Sequence, residues 1–152
     1  MLDLFKELQT IIQILDREKI PYALVGGLAY SILVETRATE DIDILIFPHD
    51  WQKIQSLMET TGYVSLSEPM DFKHIKIRRL TKFEGSNVLV LDFLFAEGKF
   101  MEGIHRAIKI NYQNQEYCIA PPDIIMEMKK GRMSNKDKND IEGLKKLLEG
   151  KS

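Results

Sequence analysis

Two aspartates one residue apart are the first feature of this sequence that could do chemistry. Asp41 and Asp43 begin the segment DIDILIF, whose apolar and β-branched residues are typical of a strand. Because side chains two positions apart on a strand point to the same side, both carboxylates should share one surface. Like charges at that spacing repel, and burying either one without a partner is unfavourable. A divalent cation would relieve the repulsion, since Mg²⁺ is commonly held by one or two carboxylates together with substrate phosphates.

A third acid, Asp92, lies within the apolar segment VLVLDFLFA, which predicts a buried strand. A lone charge in such a strand is unfavourable unless it is paired. Asp92 could therefore have a structural role in a salt bridge. If its strand lies beside that of Asp41 and Asp43, the three carboxylates could instead hold two metal ions, which suits in-line displacement at phosphorus.

A pair of glycines, Gly26 and Gly27, separates the predicted strand YALV from the predicted helix LAYSILVE. The N–H groups at the beginning of a helix and the helix dipole favour anions, and glycine lets a phosphate approach the backbone closely. The alternative is a tight turn without a ligand. Together with the acids, the glycines predict a triphosphate site facing a metal site.

The remaining segments must position these residues. The pattern predicts an amphipathic helix at the amino end, a helix through WQKIQSLMETT capped by Asp50, and a strand through DFKHIKIRRL. It also predicts a hairpin about QNQ in AIKINYQNQEYCIA and helices beyond Pro121 and Pro122. The mixed order favours an α+β fold with a small mixed β-sheet flanked by helices, as one domain over residues 1–152 with a helical tail at about 121–150.

The composition is that of an ordinary globular protein, with 152 residues, 44% hydrophobic, 29% charged and a net charge of -2. This excludes the global basic surface of many nucleic-acid binders. Residues 129–151 are a local exception, with eight Lys/Arg against four Asp/Glu. We expect a cytoplasmic protein, because the amino end does not read as a signal peptide and no apolar run could span a bilayer.

Three segments resemble the nucleotidyltransferase superfamily. VGG followed by RATEDIDILI is similar to its signature, in which Gly-Gly or Gly-Ser precedes Asp-x-Asp, and LVLDFL is similar to its third carboxylate motif. The tail PPDIIMEMKKGRMSNKDKNDIEGL resembles the closing motif of AbiEii-type toxins and related minimal, MNT-like nucleotidyltransferases. The resemblance covers roughly residues 22–148.

This resemblance implies a polymerase-β-like fold and magnesium-dependent transfer of a nucleoside monophosphate from a nucleoside triphosphate to a hydroxyl, with release of pyrophosphate. It implies two Mg²⁺ ions. The residues it implicates are Asp41 and Asp43 as metal ligands, Asp92 as third ligand or general base, Gly26 and Gly27 at the β- and γ-phosphates, and Arg37, Lys129, Arg132 and Asp137 at the nucleotide.

The acceptor stays open at this point. A protein side chain, the 3′ end of an RNA and a small-molecule hydroxyl are all compatible with the sequence. The AbiEii resemblance implies a toxin–antitoxin or phage-defence setting with a cognate partner protein. The alternatives are a catalytically inactive module that binds a nucleotide or a partner, and the antitoxin nucleotidyltransferase of a two-protein system.

The basic tail yields a first prediction. A lysine at the β- and γ-oxygens neutralises charge that grows as pyrophosphate leaves, so Lys129→Ala should lower kcat on the order of 10²-fold and weaken nucleotide binding less. Adjacent helical positions are about 100° apart and cannot both face one site, so Lys130→Ala is the matched control and should be nearly silent. The rate of pyrophosphate release is measured for both variants. If Lys130→Ala lowers kcat and Lys129→Ala does not, the tail has been aligned one residue out of register with the family motif.

Overall fold

The computed structural model describes residues 3–27, 29 and 41–130, and only the backbone of residues 129 and 130. The described residues form a mixed sheet of seven strands. The strands are β1 (Tyr22–Val25), β2 (Asp41–Ile46), β3 (Met70–Asp71), β4 (Lys76–Glu84), β5 (Asn87–Phe95), β6 (Ile108–Tyr112) and β7 (Gln115–Ile119). Their order across the sheet is β3-β4-β5-β2-β1-β7-β6.

The central strands of the sheet combine both kinds of pairing. β2 runs parallel to β5 on one side and antiparallel to β1 on the other, and β1 runs parallel to β7. β4 with β5 and β6 with β7 form antiparallel hairpins. The predicted α+β fold with a mixed sheet is confirmed.

Four helices accompany the sheet in the described part of the chain. They are α1 (Leu4–Arg17), α2 (Trp51–Glu59), α3 (Glu102–His105) and α4 (Pro122–Lys130), with 3-10 turns at Pro48–Asp50 and Gly98–Met101. Asp3 caps α1 by accepting hydrogen bonds from the N–H groups of Phe5 and Lys6. The prediction that Asp50 caps α2 is wrong in one respect. Asp50 occupies the N-cap position, but its side chain makes no capping hydrogen bond, because a 3-10 turn leads directly into the helix.

One face of the sheet is covered by α1 and α2. The ring of Trp51 on α2 lies with its centroid 5.7 Å from that of Phe93 on β5. On α1, Glu7 accepts hydrogen bonds from the Tyr63 hydroxyl at 3.1 Å and from Lys82 Nζ on β4 at 2.7 Å. Alternate residues of β2, β4 and β5 are fully buried on this face: Ile42, Ile44, Leu80, Leu91 and Phe93. This side therefore contains the central hydrophobic core.

Among the described helices, α3 and α4 cover the opposite face at one end of β2. A Cβ added to Gly103 of α3 would lie 2.6 Å from Leu45 Cδ2 and 3.2 Å from Ile124 Cγ2, so the backbone of α3 packs tightly over β2. At the other end of the same strand, Asp41 is exposed and Asp43 is half-buried. The two carboxylates are thus accessible where β2 begins.

Other predictions met mixed outcomes. The hairpin about QNQ is confirmed, and Gln113 and Asn114 take φ values of 50° and 65°, as its tight turn requires. The continuous strand predicted for residues 71–80 is wrong, because Phe72 N donates to Ile75 O in a turn between β3 and β4. Most of LAYSILVE and all of the second tail helix lie outside the described residues. Of the described helices, none has the length and apolar character needed to cross a membrane.

Candidate active site

The three acids singled out from the sequence lie on one face of the sheet. Asp43 on β2 is the direct register partner of Asp92 on β5, and Asp41 is the partner of Val90 on the same strand. Because alternate residues share a face, Asp41, Asp43 and Asp92 project to the same side. Their exposure differs, since Asp41 is exposed, Asp43 is half-buried and Asp92 is only 6% exposed.

Arg79 completes this row of charges, and the sequence analysis did not identify it. It is the register partner of Asp92 on the other side of β5. Its Nε donates to Asp92 Oδ1 at 2.8 Å and its Nη2 donates to Asp92 Oδ2 at 2.9 Å. This bidentate pairing engages both carboxylate oxygens. The salt bridge considered for Asp92 is therefore present, and it lies within the candidate site.

Electrostatics links Arg79 to all three acids. Its hydrogen bonds to Asp92 raise the pKa of the guanidinium, the charges of Asp92, Asp41 and Asp43 raise it further, and burial opposes them. A signal for such a partner was present in the sequence, because a buried carboxylate needs a cation and the neighbouring segment KIRRL offers two arginines. Only the strand register shows that Arg79 is the one facing the acids, since Arg78 pairs instead with Asp71 at 2.7 Å.

The glycine pair lies directly against the acids. Gly26 follows β1, whose last residue Val25 is the register partner of Asp43. Its φ is +75°, and an added Cβ would lie 2.9 Å from Cβ and Cγ of Asp43 and closer still to Oδ2. Glycine is therefore required here both by backbone conformation and by space. Gly26 and Gly27 begin a helical segment, as predicted, beside a predicted metal ligand.

A pocket of about 930 Å³ opens beside the acids on the same face. The segment 70–75, the 3-10 turn Gly98–Met101 and α4 form its walls. Its charged side chains include Lys99, which is hydrogen-bonded to Glu127 Oε2 at 3.0 Å. The apolar lining residues are Val25, Met70, Phe72, Ile75, Ile77, Leu94, Phe100, Ile125 and Met128.

Four predicted site residues lie wholly or partly outside the described residues. Arg37, Arg132 and Asp137 lie outside the described residues, and for Lys129 the structure gives a place in α4 without its side chain. Position 129 follows Ile125, a pocket residue, by one helical turn. Within residues 3–27, 29 and 41–130, no group of three or more His, Cys, Asp or Glu side chains is arranged to hold a metal ion. The assigned nucleotide and metal roles stay predictions.

Comparison with known proteins shows what kind of fold holds this site. No protein-family model matches the chain, and no curated protein matches it in sequence. Among solved structures, the lincosamide antibiotic adenylyltransferase LnuA with bound lincomycin has a TM-score of 0.67 at 18% identity, covering 93% of this chain and 96% of its own. ANT(2'')-Ia in complex with adenylyl-2''-tobramycin has a TM-score of 0.66 at 14% identity, covering 94% and 88%.

A solution structure of the antibiotic-resistance factor ANT(2'')-Ia is similar to the same degree, with a TM-score of 0.66 and 15% identity over 97% of this chain and 86% of its own. These similarities extend over nearly the whole chain. The protein therefore has the nucleotidyltransferase fold.

The contact between Gly26 and Asp43 gives a prediction. Gly26→Ala should displace the Asp43 carboxylate and abolish the rise in melting temperature produced by Mg²⁺ and ATP together. Gly85→Ala is the matched control, because Gly85 also has a positive φ of +60° but an added Cβ would meet nothing within 4 Å. Both variants should lose about 1 kcal/mol of stability from backbone strain, Gly26→Ala should lose more because its Cβ meets Asp43, and only Gly26→Ala should lose the ligand response. Equal responses in a thermal-shift assay would disprove a role for Gly26 at the site.

Proposed function

We propose that this protein is a metal-dependent nucleotidyltransferase that moves a nucleoside monophosphate from a nucleoside triphosphate to an acceptor hydroxyl. The observation that carries the proposal is the row of Asp43 and Asp92 on adjacent strands with Asp41 beside them, directly against the Gly26 turn. Carboxylates on one surface suit a cation, and a glycine turn that begins a helix suits a phosphate chain. The nucleotidyltransferase fold supports the same proposal.

In this reaction the acceptor oxygen attacks the α-phosphorus, a new P–O bond forms, and the bond between the α-phosphorus and the bridging oxygen breaks to release pyrophosphate. The hydroxyl proton passes to Asp92. A carboxylate has about four acceptor positions, and Arg79 uses two of them on Asp92, so Asp92 can still accept a hydrogen bond from the acceptor. Positioning and charge stabilisation carry most of the catalysis in phosphoryl transfer of this kind.

The carboxylates of Asp41 and Asp43 would hold Mg²⁺. Their hard oxygen donors fit the ion, and both lie on the accessible end of β2. Bound there, the ion would neutralise charge on the triphosphate and on the leaving pyrophosphate. Gly26 and Gly27 would leave space for the β- and γ-phosphates, and Lys129 on α4 would complete the phosphate contacts.

The pocket favours a small-molecule hydroxyl as acceptor over a protein side chain or an RNA 3′ end. Its volume of about 930 Å³ is within the range of sites that enclose drug-sized ligands. Its wall is largely apolar, and Phe72, although 59% exposed, lies along it. Two structural neighbours are described with small antibiotics, lincomycin and adenylyl-2''-tobramycin. We infer an acceptor with an apolar body and one or more hydroxyl groups.

The resemblance to AbiEii-type toxins also suggests that the protein belongs to a toxin–antitoxin system. The motif that carries it lies mostly beyond residue 130, outside the described residues. A gene for a small DNA-binding regulator beside this one would favour the toxin role, and a neighbouring HEPN-type gene would favour the antitoxin role. The pocket gives the small-molecule acceptor the stronger support.

Magnesium and nucleotide should bind together. Phosphates alone would be repelled by the acids, so Mg²⁺ with ATP should stabilise the protein more than either alone, by about 2.7 kcal/mol at a concentration 100 times Kd. Asp43→Asn should remove this stabilisation and leave the metal-free melting temperature unchanged or higher, because a like charge is removed. Thermal-shift titration measures both effects.

Two results would contradict this assignment. Equal stabilisation by ATP in excess chelator would exclude a bridging cation, and early unfolding of metal-free Asp43→Asn would make the carboxylate structural. Binding of Mg²⁺ and ATP without pyrophosphate release, across the acceptors tested below, would favour the inactive binding module.

The acceptor class can be tested with pyrophosphate release over a panel of neutral, cationic and apolar hydroxyl compounds. For any compound that is turned over, Phe72→Ala should raise the acceptor KM roughly fivefold, about 1 kcal/mol of lost apolar contact, and leave the nucleotide KM unchanged. Phe83→Ala is the control, because Phe83 is comparably exposed at 54% but does not line the pocket. Turnover of an RNA 3′ end or a protein side chain alone would contradict the small-molecule proposal.

A further inference from the structure

The pairing of Arg79 with Asp92 bears on how many cations the site can hold, and the inference rests on the proposed function above. We propose that Arg79 takes the place of a second metal ion, so that the site binds one divalent cation, at Asp41 and Asp43. The sequence analysis predicts two Mg²⁺ ions shared among Asp41, Asp43 and Asp92. In the structure, one of these acids, Asp92, is instead paired with the positive charge of Arg79.

The geometry of Asp92 is the first argument. Both of its carboxylate oxygens accept hydrogen bonds from the guanidinium, at 2.8 and 2.9 Å, and its side chain is only 8% exposed. Charge-assisted bidentate pairs of this kind are among the strongest hydrogen-bonded arrangements in proteins. A metal ion at Asp92 would have to displace these bonds or approach an oxygen that already faces a cation. A neutral hydroxyl can still donate to a remaining lone pair of Asp92, whereas a second cation there would be repelled by the guanidinium, so Asp92 is a poor ligand for a second ion.

The charge of the cluster is the second argument. Three carboxylates carry three negative charges, and Arg79 offsets one of them. Because the guanidinium is hydrogen-bonded to Asp92, a divalent ion meets less repulsion at Asp41 and Asp43, which lie on the accessible end of β2.

The fixed position of the guanidinium is the third argument. A second metal in two-metal enzymes places positive charge beside the reacting phosphate from the outset. Arg79 is anchored on β4, in register with Asp92 and, one strand further, with Asp43. A preorganised cation in this row supplies the same kind of charge without requiring reorganisation during the reaction.

Equilibrium dialysis of the full chain against Mn²⁺ and a non-hydrolysable ATP analogue, both saturating, tests the proposal by counting retained ions and nucleotides. The wild type should retain one nucleotide and one Mn²⁺ per chain. Arg79→Gln frees Asp92 from its cation and should retain a second Mn²⁺. Arg79→Lys keeps a positive charge and should retain one. Arg78→Gln is the matched control, because Arg78 pairs with Asp71 rather than with the acids, and it should also retain one.

The outcomes separate this inference from the proposed function. A wild type that retains one nucleotide and two Mn²⁺ overturns the inference and leaves the proposed function intact. A wild type that retains no nucleotide overturns the proposed function itself. A folded Arg79→Gln variant that still retains one Mn²⁺ shows that Arg79 does not stand in for a second ion. If Arg79→Gln does not fold, the wild-type count alone decides between one ion and two.

Discussion

The parallel register of β2 and β5 is the constraint on which this site depends. It places Asp43 directly beside Asp92, so two carboxylates meet on adjacent strands and a third, Asp41, lies two residues away. The three negative charges repel one another, and this repulsion would be unfavourable in an apolar sheet without a neighbouring positive charge. The antiparallel partner β4 supplies it, because its register brings Arg79 against Asp92. The same three strands thus create the charge cluster and pair its buried member, Asp92, with Arg79, while Asp41 and Asp43 lie at the accessible end of β2.

The two faces of the sheet differ in character: one carries the hydrophobic core, and the other carries the acids and the pocket. One face holds a continuous core beneath α1 and α2, anchored by the hydrogen bonds of Glu7 to Tyr63 and Lys82. On the other face, α3 packs so closely on Leu45 that its glycine has almost no space for a side chain. In the described part of the chain, α3 covers the end of β2, and the acids at its beginning line the pocket. The free energy gained by burying apolar side chains on one face offsets the repulsion among the acids on the other.

Much of this arrangement could be predicted from spacing alone. The period-two placement of Asp41 and Asp43 fixes a shared face, and the apolar segment around Asp92 predicts a neighbouring buried strand. The role of Arg79 could not be predicted, because KIRRL contains two adjacent arginines and only the pairing with β5 decides which one faces the acids. The pocket wall at residues 70–75 was also missed, since the alternating pattern of DFKHIKIRRL continues through a turn that local composition does not reveal.

Helix α4 lines the same pocket as the carboxylates, and it ends with positions 129 and 130. Ile125 and Met128 both line the pocket, so this helix presents one face to the pocket. Helix position 129 lies one turn beyond Ile125, whereas position 130 is rotated about 100° further around the axis. Position 129 thus lies one turn from Ile125, and position 130 lies three residues beyond Glu127, which also lines the pocket. Under the proposed function, a phosphate contact from position 129 would join the pocket, the glycine turn and the acids of β2 around one nucleotide.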